Sequence, residues 1–377
     1  MERVGIVGFY QLKPELDMMI SPYEAIFTAV RGALDSAGLK RKDITTVVTC
    51  TNDYYDGKTI SNCFKVEAGG AYMKDETKVE MDGAHAAAYA LYRILSGNHK
   101  LAMIYGFSMA SCYLYEPVRI LELDPTFDRT KSVINPYTAA GLQMRAYMKA
   151  FGVSEEDIAK VAVQNYKNST KNPLALPDTQ KPDISVKDVL NSEVLSSPLR
   201  ELMYPIPCDG ATAMILAPER QSLKITDKPV WITGMGQCQE TYYLGDRDLS
   251  TSVSMEKAAE KAYKIAGIND PKNEIDVAEI FGHTPCEELI LAEAAQLSEK
   301  GKGATLLDSG PALNPSGGAM SAFTPCACGL TRLVEAAKQL RGEADGYQVS
   351  GAKKAVASGQ VGFCAQNNIF YVLEGGG

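Results

Sequence analysis

Short apolar runs ending in glycine alternate with amphipathic stretches along the chain, and the order of these signals occurs twice. Val4-Gly5-Ile6-Val7-Gly8 predicts a buried strand. Apolar residues at helical spacing follow over 24–39, with Ser21 and Pro22 where an N-cap and first helical residue belong and Gly38 as the stop. About 230 residues later, Val230-Trp231-Ile232-Thr233-Gly234 and a helix over 254–266 closed by Gly267 repeat the arrangement. Each copy continues through an acidic residue and Ile into a strand, Asp43-Ile44 into 46–51 and Glu274-Ile275-Asp276 into 277–281.

A second pair of helices extends the agreement. Residues 83–97 and 328–342 are rich in Ala and Gly, end in Gly, and precede apolar strands at 101–105 and 369–373. Small residues on a helix face allow close approach, which suits helices buried between two sheets. The pattern therefore predicts a duplicated βαβα unit with stacked sheets, an N-terminal half over 1–225 and a C-terminal half over 226–377. Residues 108–200 carry seven prolines and few strand signals. That length is too great for a structureless loop, so a helical excursion with helices at 139–151 and 155–168 is expected.

Composition narrows the function. The 377 residues are 45% hydrophobic and 22% charged, with net charge −8 and no basic stripe, which argues against nucleic acid. The run from Val4 to Phe9 is too short for a signal-peptide core or a membrane span, so a cytoplasmic protein without a membrane partner is expected. Nine scattered cysteines without a C-x-x-C pair, and only three histidines, predict free thiols and no metal site within the chain.

Asn314-Pro315-Ser316-Gly317-Gly318, then Gly329-Leu330 and Gln339-Leu340-Arg341-Gly342-Glu343-Ala344, resemble the thiolase superfamily, especially its sterol-carrier-type branch. Asn172-Pro173-Leu174-Ala175, Cys208-Asp209-Gly210-Ala211-Thr212-Ala213 and the stretch 356–374 extend the resemblance. It implies an α/β thiolase fold of five layers, α-β-α-β-α, and a homodimer core. It further implies chemistry on acyl-CoA thioesters, with coenzyme A as cosubstrate and no tightly bound cofactor.

The catalytic positions depart from the family pattern. Thiolases carry a nucleophilic cysteine three residues before a Gly at the start of the first-half buried helix; counting back from Gly83 gives Glu80. A helix N-terminus favours a carboxylate as it would a thiolate, but a carboxylate is a poor acyl carrier. The His-Asp-Ala-Phe-like element becomes Phe281-Gly282-His283-Thr284, its histidine displaced by two residues. The Gly-His-Pro element becomes Ala322-Phe323-Thr324-Pro325-Cys326, without histidine, and the late Cys-x-Gly turn reads Gly359-Gln360-Val361-Gly362-Phe363-Cys364.

The Val79-Glu80-Met81-Asp82-Gly83-Ala84 pattern is similar to that of subunits that cleave carbon–carbon bonds in CoA thioesters alongside a small zinc-ribbon/OB-fold (DUF35-like) partner. The resemblance implies a thiolase-type acyltransferase acting on a branched or aromatic 3-oxoacyl-CoA of the benzoylsuccinyl-CoA kind, as in aromatic degradation. Retro-aldol cleavage of a 3-hydroxyacyl-CoA and an inert CoA-binding scaffold stand as alternatives. His283, Cys364, Cys328 and Glu80 are the expected catalytic residues. Asp82, Asn314, Ser316, Gly317, Gly318, Cys326 and Gly362 are the expected substrate and CoA contacts. His85, in an Ala-rich helix, reads as a core histidine.

Overall fold

The computed structural model describes residues 2–129 and 133–376. Ten strands form its main sheet: β1 (Val4–Gln11), β2 (Thr46–Cys50), β3 (Asp75–Val79), β4 (Ala102–Ser108), β5 (Gly210–Pro218), β6 (Val230–Gln239), β7 (Val277–Glu279), β8 (Ala312–Leu313), β9 (Lys354–Val361) and β10 (Asn367–Gly375). The principal helices are α1 (Pro22–Ser36), α2 (Gly83–Leu95), α3 (Pro136–Phe151), α4 (Glu155–Ser169), α5 (Val253–Ala266), α6 (Pro285–Ala294) and α7 (Cys328–Arg341). None of the described helices is long and apolar enough to cross a membrane.

The strand order is β8-β7-β9-β10-β6-β1-β5-β4-β2-β3, and both five-strand halves repeat one order and polarity. In each half the outer three strands run parallel, β3-β2-β4 and β8-β7-β9, and the next two, β5-β1 and β10-β6, add antiparallel. The halves join through a short antiparallel pairing of β1 with β6, Val4 opposite Ile232 to Ile6 opposite Val230. One sequence expectation is corrected here: the counterpart of β4 is β9, which directly follows α7, and residues 369–373 belong to β10, the counterpart of β5. Its run of small residues, Ala355 to Gly359, made β9 a weak apolar signal beside β10.

Strand alternation sets the layers. In β4, Ala102 and Ile104 face one core while Met103 and Tyr105 face another; in β10, Ile369, Tyr371 and Leu373 oppose Phe370 and Val372. The inner faces close on α2 and α7, which pack against each other and touch strands of both halves. Helix α1 covers the outer face of the first half, and α5 with α6 that of the second, giving five layers, α-β-α-β-α. The N-caps act as the sequence suggests: Ser21 accepts from Glu24 N with Pro22 following, and Gly267 closes α5 in the left-handed region.

Between β4 and β5 the chain builds α3, α4 and a two-stranded hairpin, Val194–Ser196 with Leu199–Arg200. Met144, Tyr147, Ile158, Ala162 and Leu199 make a core of their own that packs on Cys286, Leu289 and Ile290 of α6. The segment therefore rests against the helix that follows β7.

Close approach of α2 and α7 requires glycine at their N-termini. A Cβ on Gly329 would sit 1.9 Å from Asp82 Oδ1 and 2.9 Å from Gly359 Cα, and one on Gly83 would sit 2.5 Å from Leu330 Cβ. Gly329→Ala is therefore expected to destabilise the fold by about 1–3 kcal/mol or more, as overpacking of a tight interior does. Urea unfolding followed by circular dichroism would show a lowered midpoint; an unchanged midpoint would mean that the two helices do not pack this closely.

Candidate active site

The carboxyl ends of β2, β3, β7 and β9 and the N-termini of α2 and α7 converge on one small cavity. Parallel strands end there while helix dipoles begin there, which is where α/β folds usually hold ligands. The lining includes Glu80, Asp82, Tyr115, Arg119, Glu122, Phe281, His283, Phe323, Cys326, Gln360 and Gly362, around a volume of about 60 Å³. A second cavity of about 220 Å³ shares Glu80, Met81, Glu122, Val361 and Gly362 with it and adds Leu123, Tyr242, Leu244 and Phe363.

His283 sits in the loop between β7 and α6. Thr284 caps that helix by accepting from Glu287 N at 3.1 Å. Glu287 reaches back, so its Oε2 accepts from His283 N at 2.6 Å and lies 3.3 Å from His283 Nδ1. Gln360 of β9 donates through Nε2 to the same carboxylate oxygen at 2.6 Å, and that nitrogen is also 2.8 Å from Nδ1. On the other ring face, Tyr115 Oη and Arg119 Nη1 each stand 3.4 Å from Nε2. A guanidinium has only donors, so its approach makes Nε2 the acceptor and leaves the proton on Nδ1 facing Glu287, the carboxylate that also takes the Gln360 amide proton. Burial holds the His283 pKa below its usual value, against the pull of Glu287. Burial thus favours the neutral imidazole, with an unprotonated nitrogen turned to the cavity.

Asp82 is buried as the N-cap of α2. Its two oxygens accept from Ala84 N and, across the helix crossing, Gly329 N at the start of α7, both at 2.9 Å. Burial pushes its pKa up to about 7 despite those bonds. Glu80 is not at the buried helix terminus as expected but exposed on the cavity rim. It accepts from Asp53 N and pairs with Lys78 at 2.7 Å, because the helix begins three residues later, at Gly83.

The structure divides the expected cysteines. Cys326, with φ of 67°, lines the cavity half-buried and accepts from Gly83 N at 2.7 Å through its carbonyl; burial and nearby acids push its thiol well up. Cys328 is not brought to the cavity wall: buried at the first position of α7, it packs behind that wall in an apolar cluster with Phe281 and Phe323. Cys364 is likewise turned away, its Sγ 3.4 Å from the Ala139 carbonyl among Leu123, Leu244 and Phe363, and burial pushes it up to about 12. His85 is buried, bonds Asn367 at 3.2 Å, and burial lowers it to about 4.

Asn314, Ser316, Gly317 and Gly318, expected as substrate contacts, spend their polar groups inside the protein. Asn314 brackets Ile280, accepting from its N–H at 2.7 Å and donating to its carbonyl at 3.0 Å. Ser316 and Arg332 both bond the buried Glu279, at 2.7 and 2.6 Å. Asn168 and Asn172 of the excursion donate to the Asn314 and Ser316 carbonyls, and Gly317 and Gly318 have φ of 93° and 62°. The loop is a brace beneath the His283 segment, held by backbone and side-chain bonds.

Tyr115, Arg119, Glu122, Glu287 and Gln360 were not singled out from the sequence. Glu287 stands four residues after His283, the spacing of one helical turn, and that signal was legible. Tyr115 and Arg119 lie on a five-residue helix in the proline-rich segment, where no periodicity marks them.

The thiolase C-terminal domain-like family matches residues 236–374. An acetyl-CoA acetyltransferase of Methanothermobacter thermautotrophicus is 28% identical over 94% of each chain. The benzoylsuccinyl-CoA thiolase subunit BbsB of Thauera aromatica is 30% identical over 55% of each. Among solved structures, an Ltp2-ChsH2(DUF35) aldolase superposes with a TM-score of 0.85 over 99% of this chain and 98% of that one, at 20% identity.

Glu288, next to the Glu287 that backs His283, offers a pH test of this packing. Burial pushes it up to about 8 although Asn165 donates to it at 2.8 Å. The native state therefore prefers it protonated, and its contribution, full below the ordinary value of 4.5, is lost as pH rises toward 8. Glu288→Gln should gain stability relative to the unaltered chain across that interval, read from urea midpoints at successive pH values. A difference that stays flat with pH would contradict a raised Glu288.

Proposed function

The chain belongs to the thiolase superfamily, and we propose that it makes or breaks the carbon–carbon bond beside a CoA thioester, acting on a branched or aromatic 3-oxoacyl-CoA. The observation that carries this reading is His283: neutral, buried, backed by Glu287 and turned with a basic nitrogen into a cavity at the ends of the parallel strands. Such an imidazole is a general base of the usual kind.

In the cleavage direction, His283 takes the proton from the thiol of free CoA, and the sulfur adds to the C3 carbonyl. The C2–C3 bond then breaks with its electron pair passing to the thioester as an enolate. The proton held by His283 returns to C2, and two acyl-CoA products leave. Direct attack by CoA fits a helix α2 capped by Asp82, with Glu80, Met81 and Asp82 and no cysteine leading into it. The raised pKa of Cys326 keeps its thiol protonated, which disfavours it as an acyl-accepting nucleophile.

Cavity sizes support the substrate class. An apolar cavity of about 150 Å³ accepts benzene, so the inner cavity of about 60 Å³ is too small for a ring, whereas the outer one of about 220 Å³, walled by Leu123, Tyr242, Leu244 and Phe363, has room. The acyl branch would lie in the outer space and the reacting bond at its junction with the inner. A DUF35-type partner and a homodimer core are part of the proposal. The first is supported by the aldolase complex that shares the fold and by the relative named as a subunit.

A second reading, retro-aldol cleavage of a 3-hydroxyacyl-CoA, is favoured by the same missing thiol, since that reaction needs no acyl acceptor. His283 would then remove the 3-hydroxyl proton, and an aldehyde or ketone would leave. The deciding assay uses the chain with any subunit that co-purifies, aromatic and branched 3-oxoacyl- and 3-hydroxyacyl-CoA esters, and mass spectrometry of thioesters and carbonyl products. Two thioesters formed with consumption of CoA are expected, with a loss of about 10²–10⁴-fold for His283→Asn. A carbonyl product without CoA consumption would replace the leading reading by the second, and no product from either panel would remove both.

A further inference from the structure

We infer that Arg119 is a catalytic residue of this site, the cation that stabilises the thioester enolate; the inference rests on the reading just given and holds for either direction of bond cleavage it allows. Both chemistries send the electron pair of the C2–C3 bond onto the thioester oxygen. The inner cavity is a poor place for that charge, because its wall already carries Glu80, Asp82 and Glu122. Arg119 is the permanent cation among the described residues of that wall.

Its geometry is fixed from behind. Nε and Nη2 are turned to Glu122 Oε2 at 3.4 and 3.1 Å, and the guanidinium lies over the Phe363 ring at 4.7 Å. This leaves Nη1 facing inward, where its contact is the long one, 3.4 Å, to His283 Nε2. One point in the cavity is therefore flanked by a basic nitrogen and a charged donor. An oxygen lodged there would receive hydrogen bonds from Arg119 while His283 serves the neighbouring carbon or oxygen. Preorganised donors in a site shielded from water are the usual source of oxyanion stabilisation, because they are oriented before charge develops.

Gln360 completes the picture on the opposite side of the ring. It is buried, its Nε2 donates to Glu287, and its Oε1 has no partner. In the step itself, His283 Nε2 removes a C2 proton of a saturated acyl-CoA, the C–H pair becomes the C1–C2 π bond, the carbonyl π pair moves to oxygen, and Arg119 Nη1 hydrogen-bonds that oxygen. Return of a solvent-derived proton to C2 closes the cycle.

Exchange of the C2 protons of 3-phenylpropionyl-CoA in deuterium oxide, followed by mass spectrometry, reads this step without carbon–carbon cleavage. Arg119→Gln should slow exchange by about 10²–10³-fold with KM changed by a few-fold only, and Arg119→Lys should retain more than Arg119→Gln. Exchange by Arg119→Gln within threefold of the unaltered chain, with His283→Asn inactive, would overturn the inference and leave the thioester reading standing. If the unaltered chain exchanges none of 3-phenylpropionyl-, butyryl- and acetyl-CoA, the thioester reading fails and takes the inference with it. Should Arg119→Gln not fold, the unaltered chain decides with a nitroethyl thioether of CoA, whose nitronate copies the enolate charge. Ionisation of the analogue on binding, seen as near-ultraviolet absorbance at a pH where it is neutral when free, is expected. An analogue that binds and stays neutral would overturn the inference.

Discussion

The crossing of α2 and α7 is the constraint on which the rest of the molecule depends. One carboxylate, Asp82, accepts from the first turns of both helices, and glycines at 83 and 329 let the backbones meet at a distance no side chain would allow. Since α2 and α7 touch strands of both halves, fixing their crossing fixes how the two half-sheets face each other. The carboxyl ends of β2, β3, β7 and β9 are thereby brought to one place. The cost of holding a carboxyl in that interior shows in the raised pKa of Asp82.

From that crossing the site follows by packing. Glu279 at the end of β7 is fully buried and meets Arg332 of α7, and both hold Ser316. A buried ion pair of this kind contributes little net stability, but loss of one partner would leave a stranded charge, so it fixes the register of β7 against α7. The loop immediately after β7 carries His283. The Asn-Pro-Ser-Gly-Gly segment braces the same loop from below through Asn314, and is itself held by Asn168 of α4 and by Asn172 just beyond that helix, while Asn165 of α4 bonds Glu288 of α6. The distance from brace to imidazole is short in space and long in sequence, which is why a motif that looked like substrate recognition turns out to be support.

Much of the architecture was legible in the chain because it rests on local rules. Strand periodicity, Ser21 and Pro22 at one helix start, Gly38 and Gly267 at helix ends, and the Ala-Gly faces of α2 and α7 each report a property of a few neighbouring residues. The strand β9 was passed over because its small residues suit a crowded interior and give little apolar signal. The site was legible only in part. His283, Asp82, Cys326 and Gly362 lie on the cavity and Glu80 on its rim, since motif position and helix termini mark them. Cys328 and Cys364 share those motif neighbourhoods, yet whether a side chain points to the cavity or to the core depends on a rotation of the backbone that spacing does not reveal. Arg119 and Tyr115 come from a short helix whose placement is set wholly by tertiary packing.

The central claim is that His283 is a neutral imidazole whose Nε2 is an unprotonated acceptor held between Glu287 and Arg119. With only three histidines in the chain, nitrogen-15 NMR of imidazole-labelled protein tests this directly, using a His283→Asn sample for assignment. At neutral pH the His283 resonances should show one protonated nitrogen, Nδ1, and one pyridine-like nitrogen, Nε2. A spectrum with both nitrogens protonated would mean that Glu287 outweighs burial and Arg119, and would contradict the account of His283 as a base.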